Sequence, residues 1–80
     1  MLIVNRYYRE NGTLGHSTEW FENARIENGI IPEEVNANLL KKIAADVQRE
    51  NVDYCMCQII DENGYVYKTE VGKHLPSVNA

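Results

Sequence analysis

The chain has 80 residues, 44% of them hydrophobic and 25% charged, with a formal net charge of −4 at pH 7. That length allows one small domain with a modest core, here taken as residues 1–80, and the composition excludes a disordered chain. No apolar run approaches the roughly 20 residues of a membrane helix, and Met1-Leu2-Ile3-Val4 is too short for a signal peptide, so a cytoplasmic protein with no membrane contact is expected.

Residues 2–9 read as a strand, with β-branched and aromatic side chains (Ile3, Val4, Tyr7, Tyr8) ending at Glu10-Asn11-Gly12. The tripeptide Glu-Asn-Gly recurs at 27–29 and 62–64. Asn-Gly tolerates the left-handed backbone that a tight reversal needs, so the three copies punctuate the chain. Residues 13–20 return antiparallel. A two-residue turn would pair Arg9 with Leu14 and mix polar and apolar side chains on both faces. A three-residue loop closed by Gly12 instead pairs Tyr8 with Leu14, Val4 with Thr18 and Leu2 with Trp20. One apolar face results, broken only by Arg6 opposite His16, and Tyr7 turns to the other, less apolar side.

The second Glu-Asn-Gly reads in two ways. It either turns a hairpin that pairs Ile26 with Ile30, or ends a short helix over 18–28 with Gly29 as its left-handed cap. The favoured reading is a strand through Trp20 that continues into a hairpin. Pro32 then suits the first position of a helix, with Glu33 and Glu34 complementing its N-terminal dipole. Val35, Leu39, Leu40, Ile43, Ala44 and Val47 share one face of that helix, while Lys41, Lys42, Gln48 and Arg49 share the other. Lys42 and Asp46 are spaced for an ion pair, and the helix is expected to end near Asn51 after about five turns.

The last hairpin admits the same register test. A three-residue loop at 62–64 pairs Asp61 with Tyr65, Ile59 with Tyr67, Cys57 with Thr69 and Cys55 with Val71, giving one apolar face and one amphipathic one. The segment 72–80 has no periodicity and reads as a loose tail. The expected architecture is α+β: an antiparallel sheet from two or three hairpins packed on one amphipathic helix, in order ββ(β)αββ. Leu2, Val4, Tyr8, Leu14, Trp20, Cys55, Cys57, Ile59 and Tyr67 are expected to face the helix stripe.

Charge is unevenly placed. Residues 10–34 hold six acids (Glu10, Glu19, Glu22, Glu27, Glu33, Glu34) against Arg25, whereas the remainder holds six acids and seven bases. A negative field of this kind repels nucleic-acid backbone and favours a basic protein partner. Tyr7 and Tyr65, expected at the surface, are residue types enriched at protein interfaces.

Candidate chemistry is thin. Cys55 and Cys57, with His16 and His74, make four N or S donors, but two residues apart on a strand is a poor metal spacing, and small buried thiols are expected. Arg6 opposite His16 would make a small anion pocket unless the arginine snorkels. No phosphate loop, nucleophile elbow or convergent acid pair is present, so no enzymatic activity and no cofactor or metal is expected. The sequence therefore points to a small acidic protein-binding module acting by stoichiometric contact through Glu19, Glu22, Glu27, Glu33, Glu34, Tyr7 and Tyr65. Its partner would be a protein with a basic surface, and the module would be an inhibitor occupying a basic, nucleic-acid-binding groove, as phage and mobile-element anti-defence proteins do. The alternative is a self-associating homodimer domain, and a third reading is a thiol or metal site.

Overall fold

Four strands and one helix follow as ββαββ in a computed structural model that describes residues 1–73: β1 Leu2–Tyr8, β2 Leu14–Phe21, α1 Glu33–Arg49, β3 Tyr54–Ile60 and β4 Val66–Gly72. The sheet is antiparallel throughout, in order β2-β1-β3-β4, so α1 carries the chain from the β2 edge back to the centre. The helix covers one face. Leu39, Ile43 and Val47 from α1 meet Ile3, Tyr7, Cys55, Cys57, Ile59 and Val71 from the sheet, with Val52 closing the core below the helix end.

Both expected three-residue loops form. Gly12 and Gly64 take positive φ (88° and 82°), and their amides donate to the carbonyls of Arg9 (2.8 Å) and Asp61 (3.1 Å). The β3–β4 register is the expected one, from Ile59 opposite Tyr67 to Cys55 opposite Val71. The β1–β2 register is not. Tyr8 lies opposite Leu14, but Tyr7 lies opposite His16, so Gly15 is an extra residue in β2 and every later pair slips by one.

The glycine at this bulge has a steric reason. A Cβ there would come within 2.9 Å of the Val52 side chain and 3.4 Å of the Tyr7 carbonyl, so β2 can pass over Val52 only with a glycine. The slip reverses the face of β1. Ile3, Asn5 and Tyr7 face the helix, not Leu2, Val4 and Tyr8, while Trp20 keeps its expected inward position beside Ile3. Leu2, Val4, Arg6, Tyr8 and Leu14 belong to the uncovered face.

The middle stretch is a hairpin turn and not a helix, though one residue tighter than expected. Glu27 pairs with Ile30 through bonds of 2.9 and 3.3 Å, in place of Ile26 with Ile30. Asn28 and Gly29 both have positive φ (54° and 74°), as a two-residue type I′ turn requires. Pro32 precedes the helix instead of opening it, with ψ at 128°, and its carbonyl takes the Asn36 amide at 3.0 Å. The helix ends at Arg49, short of Asn51, and Ala44 is exposed at the edge of its stripe. Gly72 lies in β4, and the Lys73 amide donates to the Asp53 carbonyl at 3.0 Å. The rest of the expected tail lies outside the described residues.

Candidate protein-binding end of the molecule

The register of the sheet decides which side chains meet. Leu2, Phe21, Ile60 and Val66 stand in one row across all four strands on the uncovered face. That row lies at the end of the sheet where β2 runs out and where the β3–β4 turn reverses. The β2–α1 connection folds over the same end, bringing Gly29 toward the Tyr67 hydroxyl. The helix N-terminus is there too, since Glu34 and Val35 share a cleft with Trp20.

Among the described residues, four of the five exposed large apolar side chains lie at this end: Phe21 (81% exposed), Ile30 (69%), Tyr65 (71%) and Val66; Leu14 lies at the other. The same end holds Glu22, Glu27, Glu33 and Glu34 from the connection and helix, with Glu22 and Glu34 in the Trp20 cleft on the helix side, and Asp61 and Glu62 from the last turn, where Asp61 Oδ1 accepts from the Asn63 and Tyr65 amides. Arg25 and Lys42 are basic side chains among them, and the amino group of Met1 donates to the carbonyls of Glu22 and Ala24. No family model matches the chain, and no curated protein or solved structure matches it either.

Two concavities shape this end. The deeper, of about 430 Å³, runs between β2 and α1 and is lined by Trp20, Glu22, Glu34, Val35 and Asn38, with Lys42 on its inner wall. Trp20 is fixed in it by donating its indole N–H to Glu22 Oε1 at 2.8 Å. The shallower is formed by Arg25, Glu27, Asn28, Ile30 and Pro32.

Of the expected contact residues, Glu22, Glu27, Glu33, Glu34 and Tyr65 come together here. Glu19 does not: it stands beside Val4 on the uncovered sheet face, one row further in. Tyr7 is withdrawn altogether. Expected at the surface, it is fully buried, and its hydroxyl donates to Asp46 Oδ2 at 2.9 Å, because the Gly15 bulge turns it inward. The same bulge dissolves the anion pocket. Arg6 is on the uncovered face, donating to Gln58 Oε1 at 2.9 Å, while His16 is on the helix side, stacked on Tyr7 and 3.5 Å from Glu50. The sequence reading missed Asp61 and Glu62 as members of the acidic end, since only strand pairing brings residues 61–62 beside residues 22–34.

The thiols of Cys55 and Cys57 point into the core. Burial, with Cys57 close by, pushes Cys55 from its ordinary 9.0 up to about 12, and burial pushes Cys57 up to about 11. Both stay protonated at neutral pH, the wrong state for a nucleophile or metal ligand. No group of three or more His, Cys, Asp or Glu side chains suited to a metal occurs among the described residues. His74 lies outside them. No described helix is long and apolar enough to cross a membrane.

Proposed function

We propose that this chain is a non-enzymatic protein-binding module whose acidic, apolar-centred end docks on a basic protein surface. What supports the reading is that Phe21, Ile30, Tyr65 and Val66 are exposed at the same end of the sheet as the acidic segment 22–34 and the Asp61–Glu62 turn. Exposed apolar side chains of this size supply binding energy when covered, and the charge around them selects a partner of opposite sign and raises the association rate. A groove that ordinarily holds nucleic acid fits both demands, so the partner class is a nucleic-acid-binding protein and the action is stoichiometric blocking. Compact acidic inhibitors carried by phages and mobile elements against host nucleases work on this principle, an analogy of size and charge.

The test is capture of partner protein on the immobilised chain, followed by competition with heparin. A partner held in its nucleic-acid groove is released by the polyanion, and the triple variant E22K/E27K/E33K binds it weakly with little salt dependence. Capture that survives the triple charge reversal unchanged refutes the reading.

A second reading, self-association, is favoured by the uncovered sheet face. Rotating a second copy about an axis parallel to the strands lays β2 over the partner's β4. Glu19 then opposes a Lys68, Phe21 a Val66 and Leu2 an Ile60, since each of these pairs shares a row of the sheet. Four strands about 4.8 Å apart and about 24 Å long make two such faces bury on the order of 1,000 Å², the lower bound for a specific interface. Sedimentation at micromolar concentration decides it. A dimer that K68E dissolves and E19K/K68E restores supports the face, and a monomer at every concentration removes it.

A further inference from the structure

The three Glu-Asn-Gly copies are identical in sequence and differ in what their atoms are bonded to. In the two bulged loops Asn is the third residue of the turn and Gly the fourth, so the glycine amide is the donor that closes the turn, to Arg9 in one and to Asp61 in the other. Asn11 is held further: its Oδ1 accepts from the Thr13 amide at 3.0 Å and the Thr13 hydroxyl at 2.7 Å. In the type I′ turn the same tripeptide sits one place earlier. Asn28 and Gly29 are then the two central residues, and the closing bonds belong to Glu27 and Ile30. Neither the Gly29 amide nor the Asn28 side chain makes a hydrogen bond among the described residues, and both residues are exposed.

From this we infer that Asn28-Gly29 is a site of spontaneous modification, the place where this protein deamidates first. The Gly29 amide nitrogen gives its proton to solvent base and attacks Cγ of Asn28. The bond from Cγ to the side-chain nitrogen breaks, ammonia leaves, and a five-membered succinimide joins side chain and main chain. Water then opens the ring. Cleavage between nitrogen and the side-chain carbonyl gives aspartate, and cleavage between nitrogen and the main-chain carbonyl gives isoaspartate. The balance is one water consumed and one ammonia released, with no other reactant.

Each hydrogen bond that must break before attack slows the reaction by about two- to tenfold. Asn28 has none to break, Asn63 has the Gly64 amide bond, and Asn11 has three counting both at its Oδ1. The product adds a carboxylate beside Glu27 in the acidic end. In isoaspartate an extra methylene also enters the main chain inside the turn, so the Ile30 amide can no longer meet the Glu27 carbonyl as it does at 2.9 Å. Charge and shape of the proposed docking end therefore change together with the age of the molecule.

The experiment is incubation of the intact protein at mildly alkaline pH, with timed peptide mapping by mass spectrometry and isoaspartate detection, in buffer and in concentrated urea. In buffer the expected order is Asn28, then Asn63, then Asn11, with at least about tenfold between first and last. In urea the three rates converge, because the tripeptides are the same. T13V, which removes one donor to Asn11, speeds Asn11 alone. Asn63 or Asn11 reacting as fast as Asn28 in buffer overturns the inference, and so does an undiminished spread in urea.

Discussion

Removing the Tyr7 hydroxyl should cost this protein more than any other single-atom change in its core. Tyr7 is fully buried and its hydroxyl donates to Asp46 Oδ2 at 2.9 Å; Asp46 also accepts from Arg49 at 2.7 Å and lies 3.4 Å from Lys42 Nζ. A hydrogen bond to a charged acceptor contributes about 1.5–3 kcal/mol, and Y7F leaves the carboxylate its two basic partners, so the lower half of that range applies, about 2 kcal/mol. D46A is harsher. It strands the buried hydroxyl and deprives both bases of their acceptor, for a loss of about 3 kcal/mol. With a urea m-value of about 1 kcal/mol/M for a chain this small, Y7F lowers the midpoint by about 2 M. The double variant separates the pair from its surroundings: D46A should cost about 1.5 kcal/mol less in the Y7F background than in the wild type. A Y7F midpoint within about 0.5 M of wild type, or strictly additive losses, would show that the bond holds nothing together.

Three further changes test other parts of the fold by the same urea titration. G15A forces a Cβ to within 2.9 Å of the Val52 side chain and should cost about 1–3 kcal/mol, with V52A in the same chain relieving the clash; a neutral G15A contradicts the steric account of the bulge. Asn5 is fully buried, and neither its amide nitrogen nor its carbonyl oxygen meets hydrogen-bond geometry among the described residues, although it lies near enough to Tyr7 to oppose the rise of that phenol's pKa. N5L should therefore stabilise by about 1 kcal/mol, and a loss of that size would reveal a partner for the amide. Stability should fall from about pH 9 upward, because Cys55, Cys57 and Tyr7 all have folded pKa values raised by burial: the unfolded chain ionises first and binds fewer protons, at up to about 1.4 kcal/mol per pH unit for each group. A C55A/C57A variant with an equally steep alkaline slope would refute the thiol contribution.

What the sequence made legible was set by local chemistry, and what it hid was set by one distant contact. Glycine at the positive-φ position fixed both bulged loops, and the 3.6-residue apolar repeat fixed the helix, because each signal lies within a few residues of its effect. Gly15 gave no comparable sign. The neighbour that requires a glycine there is Val52, 37 positions along the chain, and no pattern within 2–20 reports it. Sequence pattern alone favours the unbulged register because it gathers Leu2, Val4, Tyr8 and Trp20 on one face. In the folded sheet the central position of β1 lets Val4 be buried on the uncovered side by its neighbours alone, so apolar residues on both faces of that strand are compatible with one covering helix.

The slip also explains why the proposed docking end keeps its candidate residues while Tyr7 and the Arg6–His16 pocket drop out. Shifting β1 by one residue sends Tyr7 inward, where its hydroxyl becomes structural, and places Arg6 and His16 on opposite faces, where they cannot converge on an anion. Neither change touches residues 22–32, which connect β2 to α1 and turn back through the type I′ turn at Asn28-Gly29. Charge reinforces that separation. The helix begins at this end with Glu33 and Glu34 in its first turn, where carboxylates complement the dipole, so its acids stabilise the fold as well as belonging to the proposed docking end. Glu22 plays a double part as well, holding the Trp20 indole and lining the cleft. Charge reversal at Glu22 should therefore lower stability as well as binding, whereas reversal at Glu27, which holds no side-chain bond among the described residues, should lower binding alone. If E27K unfolds the protein as readily as E22K does, the acids of this end are a structural device and the docking end lies elsewhere.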